Sequence, residues 1–87
     1  MSATDLASEA QELLARLLRF NTVNPPGDER EAQEYLSDHL STAGLECELL
    51  APEPSRPNLV ARLRGEQPGP TLCYLGHVDT VLAEPSE

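Results

Sequence analysis

The hydrophobic period changes at Gly44, and that change constrains the fold more than any other feature of the chain. Before it, Ala32, Tyr35, Leu36, His39, Leu40 and Ala43 recur at three- and four-residue spacing, the stripe of an amphipathic helix. After it, Leu45, Cys47 and Leu49 alternate with Glu46 and Glu48, the period of a strand with one wet face, as at a sheet edge. Gly44 stands where a left-handed residue closes a helix. A helix running into a strand at this point belongs to an α/β chain.

The remaining segments follow from the same periods. Ala10, Leu13, Leu14, Leu17 and Asn21 make a first helical stripe, widened by Leu6 and Leu18. Thr4 or Asp5 is the expected cap, and Arg16 and Arg19 lie near the C-terminal end, where cations are favoured. Asn24-Pro25-Pro26-Gly27 stops that helix, because proline lacks the donor a helix needs. Asp28 and Glu31 have the spacing of a capping box for the second helix. Pro52, Pro54 and Pro57 enforce a loop, Leu59, Ala61 and Leu63 alternate after it, and residues 65–70 form another turn-rich connection. Thr71-Leu72-Cys73-Tyr74-Leu75 is unbroken and apolar enough for a strand covered on both faces. The patterns predict helices over 5–20 and 29–43 and strands over 45–51, 58–64 and 71–76. A strand covered on both faces needs helices on both sides of a sheet, which two helices and three strands supply only in part. The chain therefore reads as the opening of a larger α/β domain.

Composition narrows the partners. The 87 residues suffice for one domain, and with Phe20, Tyr35 and Tyr74 as the only aromatics the core is a weak one. A net charge of −9, with six arginines and no lysine, repels phosphate backbones and anionic lipid, so neither nucleic acid nor a membrane surface is an expected partner. The acids between Asp28 and Glu48 read as a solvated helix face and strand edge. Cys47 and Cys73 lack metal or redox spacing and sit in apolar runs, so both are expected as small buried hydrophobes. The first residues show no secretory signal pattern and no apolar run is long enough to span a membrane, which makes a cytoplasmic location the expectation.

The chemistry concentrates in Leu75-Gly76-His77-Val78-Asp79-Thr80. His77 follows the expected buried strand, at the end where open α/β sheets place ligands. A neutral imidazole is a strong zinc ligand, and such a histidine usually gives its other ring N–H to a carboxylate. Asp79, two residues on along an extended segment, points the same way and is the candidate for that carboxylate. Gly76 would leave room beside the backbone. By itself the His-x-Asp pair is a weak signal, and a hydrogen-bonded histidine at a strand end is the commoner reading of it. His39, on the apolar stripe of the second helix, is expected to pack or cap rather than to ligate. No Ser-His-Asp set and no glycine-rich phosphate cradle accompanies the pair.

In its longer pattern the chain resembles the metallopeptidase family of acetylornithine deacetylase, succinyl-diaminopimelate desuccinylase, aminoacylase and the glutamate carboxypeptidases. The resemblance runs through residues 17–27, Leu36, Leu40 and Ala43-Gly44-Leu45, then residues 56–63, and closes with residues 69–72 and 76–81. It implies part of a three-layer α/β/α zinc-exopeptidase-like domain with a mixed sheet, in which a second strand runs antiparallel to the first and a further strand separates the second from the third. It also implies a two-metal zinc site, with cobalt or manganese as substitutes. His77 matches the first metal ligand and Asp79 the acid named as catalytic, which would orient and polarise that histidine. The reaction implied is hydrolysis of an amide in an N-acylated amino acid or peptide, by a homodimer with a separate dimerisation domain.

On that comparison residues 1–87 correspond to the amino-terminal part of the catalytic domain, and the other ligands, the general-base glutamate and the dimerisation domain are expected outside them. The chain alone is accordingly expected to be inactive. The proline usual after the motif's valine is missing, since Val81 is followed by Leu82 and Ala83. Two rival readings are a truncated, non-catalytic product or interaction module, and another metallohydrolase such as a metallophosphoesterase. The latter would place an Asp-x-His pair on an early strand, which this chain lacks.

Overall fold

The computed structural model describes residues 2–83. Helices α1 (Ala3–Leu17) and α2 (Arg30–Thr42) precede strands β1 (Glu46–Leu50) and β2 (Asn58–Arg62). The strands form an antiparallel pair with Glu46 opposite Arg62, Glu48 opposite Val60 and Leu50 opposite Asn58. The stripe of α2 lies across this pair. Ala32 is fully buried, and Tyr35, Leu36, His39 and Leu40 are half-buried. His39 stacks on Tyr35 with ring centroids 6.4 Å apart, the packing role its position predicts. Gly44 closes α2 at φ 101°, a left-handed conformation that a Cβ would penalise.

Both helices begin differently from the expectation. Ser2, not Thr4 or Asp5, caps α1: its hydroxyl accepts from the Asp5 N–H at 3.2 Å, while Asp5 Oδ2 accepts from the Ser2 N–H at 3.3 Å. The reciprocal bonds satisfy two donors that a helix start leaves open, with Asp in place of the usual Glu. At the other end, Arg19 and Phe20 bond back three residues, to Arg16 and Leu17, so the expected last turn tightens out of the α-helix. The box between Asp28 and Glu31 does not form. The N-cap of α2 is Glu29, without a side-chain cap bond because Arg56 holds its carboxylate. Asp28 Oδ1 instead accepts from the Arg30 N–H at 3.4 Å.

The third strand is a correction. Residues 71–76 carry no regular secondary structure, and Tyr74 and Leu75 are 89% and 98% exposed rather than covered. A strand exists through the ladder it makes with a neighbour, and among the described residues no strand lies beside this segment. Cys73, expected to be buried, is exposed with it, whereas Cys47 on β1 is half-buried; both are free thiols. Helix α1 has no buried residue and keeps Leu6, Leu14 and Leu18 open, touching α2 through Phe20 and Arg16 against Tyr35. The radius of gyration, 15.2 Å, exceeds the roughly 12 Å of a compact chain of this length. These apolar surfaces are therefore left uncovered by the described residues. None of the described helices is long and apolar enough to cross a membrane.

Candidate functional site

Apart from Ala32, the buried positions lie off the helical stripes. Thr22, Gly27, Glu29, Ala32 and Pro57 gather where three connections meet beside the N-terminus of α2. Residues 22–24 run parallel to the segment around Thr80. The Thr80 N–H donates to Thr22 O at 3.0 Å, the Asn24 N–H donates to Thr80 O at 2.8 Å, and the Thr22 hydroxyl donates to Val78 O at 2.8 Å. These bonds span more than fifty residues of sequence, and they hold residues 77–80 in place although the strand before them is absent.

Against this support, the His77 Nδ1 lies 2.7 Å from Asp79 Oδ1 and 3.1 Å from the Asp79 carbonyl oxygen. An ionised carboxylate and a carbonyl only accept hydrogen bonds, so in the neutral ring Nδ1 carries the proton. That leaves Nε2 with a lone pair and no protein partner among the described residues, on a side chain 82% exposed. The other oxygen, Asp79 Oδ2, accepts from Asn24 Nδ2 at 3.1 Å and lies 3.6 Å from Arg56 Nη2. Arg56 is in turn fixed on Glu29, donating from Nη2 to Oε1 at 2.8 Å and from Nε to Oε2 at 3.1 Å. Gly27, at φ 77°, lets the loop pass over this pair; a Cβ there would sit 2.7 Å from Arg56 Cζ.

The charges follow the bonds. The Asn24 amide holds the Asp79 carboxyl below the usual carboxylate value, the His77 hydrogen bond adds to this, and the charge of Arg56 acts the same way against partial burial. Glu29 raises the Arg56 guanidinium further above its already high value, first by hydrogen bonding and then by charge. Both groups are ionised at neutral pH. Beside them opens a cleft of about 360 Å³ that Glu29, Gln33, Arg56, Pro57, His77 and Asp79 help to line.

The structure thus brings the two residues singled out by the sequence into direct contact. A Cβ at Gly76 would meet nothing within 4 Å, so among the described residues no crowding accounts for that glycine. Asn24, Glu29, Arg56 and Thr22 are partners that periodicity did not single out. They stand at helix breaks and in proline loops, and the only signal for them is that Thr22, Asn24 and Arg56 fall within segments that carry the family resemblance. As a metal site the donor set is partial. His77 Nε2 suits zinc and has the backing a zinc-bound histidine needs, but no group of three His, Cys, Asp or Glu side chains able to hold a metal ion occurs among the described residues.

The chain is 40% identical over 72 residues to succinyl-diaminopimelate desuccinylase of Xanthobacter autotrophicus and 37% identical over 71 residues to that of Wolbachia pipientis. These alignments take in about four-fifths of the chain. The chain spans less than a fifth of the length of either relative. No protein-family model and no solved structure matches it. The alignments agree with the residue pattern: over this stretch the chain is similar to succinyl-diaminopimelate desuccinylases, which are hydrolases of the family whose pattern it carries.

Proposed function

We propose that His77 is one protein ligand of a catalytic zinc site, that Asp79 holds it for that task, and that the protein carrying this chain hydrolyses the amide bond of an N-acylated amino acid or peptide. The 2.7 Å contact between His77 Nδ1 and Asp79 Oδ1 supports this best, because it commits the ring proton to Nδ1 and turns the basic Nε2 outward. Bound there, zinc supplies Lewis acidity toward an amide carbonyl and an activated water. Asp79 stabilises positive charge on the imidazole and fixes its plane. Asn24 and Arg56 keep the second carboxylate oxygen occupied, so Asp79 remains ionised and turned to the ring. A catalytic zinc takes about three protein ligands, and His77 provides one, so the remaining ligands and the general base come from outside the described residues. Two metal ions and a homodimer complete the reading. The relatives' name points to an N-succinylated amino acid as the first substrate to try.

Metal content and hydrolysis of N-succinyl-diaminopimelate and N-acetyl amino acids test this on the protein that carries this chain. His77→Ala is expected to lower both. Asp79→Ala is expected to retain more metal yet lose roughly 10–100-fold in activity, the range for residues that act on a metal through its ligand. His39→Ala should leave metal content unchanged. A site emptied by His39→Ala while His77→Ala keeps full activity would refute the assignment.

A further inference from the structure

We propose that Asn24 is a positioning residue that selects the tautomer of His77 through Asp79. This rests on the reading of His77 and Asp79 given above and extends it to a residue 55 positions away in the chain.

A carboxylate on a free side chain rotates about its last bond and can offer either oxygen, in several directions, to a neighbouring ring. Here both oxygens are assigned. Oδ1 faces His77 Nδ1 at 2.7 Å, and Oδ2 faces Asn24 Nδ2 at 3.1 Å. Because a carboxylate only accepts, the amide must present its NH2 group to it, so the orientation of Asn24 is not open. Asn24 is itself pinned by its backbone, whose N–H donates to Thr80 O at 2.8 Å, one residue beyond Asp79. The parallel bridge between Val23 and Thr80 and the bond from the Thr22 hydroxyl to Val78 O fix the register on both sides. Arg56 Nη2, at 3.6 Å from Oδ2, is beyond good hydrogen-bond length and contributes charge more than direction. Among the described residues, the only short directional contact that a side chain other than His77 makes to Asp79 is therefore that of Asn24. Its loss frees the carboxylate to rotate and with it the hydrogen bond that keeps the His77 proton on Nδ1.

Ring-nitrogen NMR of the 87-residue chain with 15N-labelled histidine reads the tautomer directly, at about pH 8, where unperturbed histidine is neutral. The wild-type chain should show His77 mainly protonated on Nδ1. Asn24→Ala should move the tautomer ratio toward Nε2–H by about fivefold, the order set by one hydrogen bond, and Asp79→Ala should move it at least as far. Asn24→Asp, which keeps the shape and removes the donor, should reproduce Asn24→Ala. A His77 ratio unchanged in both Asn24 variants, with Asp79→Ala shifted, overturns the proposal and leaves the His77–Asp79 reading standing. A wild-type ring without the Nδ1–H preference overturns that reading instead, and this proposal with it. If both Asn24 variants unfold while Asp79→Ala stays folded, the role of Asn24 is structural and the proposal also fails.

Discussion

Arg56 grips Glu29 with two donors, Nη2 at 2.8 Å and Nε at 3.1 Å, and the carboxylate it holds is 92% shielded from solvent. Two-donor recognition of this kind depends on the planar guanidinium. It joins the loop after β1 to the N-cap of α2, and the Glu29 N–H reinforces the join by donating to Ser55 O at 3.0 Å. Glu29→Ala should therefore destabilise the fold by about 1.5–3 kcal/mol, the range for hydrogen bonds to charged groups. Arg56→Lys keeps the charge but not the fork and should also destabilise it. Urea unfolding of the two variants checks both.

Gly27 and Gly44 both take positive φ, at 77° and 101°, but only Gly27 is crowded. Gly44→Ala should cost about 1–2 kcal/mol from backbone strain alone. Gly27→Ala should cost more, since its Cβ meets a guanidinium that Glu29 prevents from moving aside. A double-mutant cycle isolates the difference: in an Arg56→Ala background the excess penalty at Gly27 should vanish.

Asp79 titrates below the ordinary carboxyl value of 3.8. A carboxyl with a depressed folded value adds stability that is fully present above the unfolded value and is lost as pH falls through the folded one. The contribution of Asp79 is therefore intact at neutral pH and disappears below about pH 4. Asn24→Ala, which removes the largest cause of the depression, should bring the Asp79 carboxyl back toward 3.8. Carbon-detected NMR titration of the Asp79 side chain in the wild-type and variant chains reads this directly.

The 87-residue chain should bind zinc on the order of micromolar or more weakly and show no hydrolase activity, because one imidazole with one adjacent carboxylate closes no metal site. Calorimetry with zinc and an assay on N-acetyl amino acids make the test. Sub-micromolar one-to-one binding together with turnover would overturn it.

Elements whose partners lie close in the chain were readable from residue order. Helical spacing from Ala32 to Leu40, the alternation after Leu45 and the breaks at Pro25, Gly44 and Pro57 place α1, α2, β1 and β2 within a few residues, because each pattern reports a neighbour only a turn or a pleat away. The pairing of His77 with Asp79 was legible for the same reason, being two residues long. Features that depend on distant partners emerge only in the folded chain. The apolar run at residues 71–76 has the pattern of a buried strand, yet lies open because a ladder needs a second strand and none of the described residues supplies it. Glu29 has helix-start character, but its carboxylate caps nothing because Arg56, 27 residues on, binds it more strongly. Asn24 looks like part of a helix-breaking turn and becomes a partner of Asp79 only when the chain folds back across 55 residues. No periodicity records such contacts, since their geometry is set by backbone bonds between segments that the sequence keeps far apart.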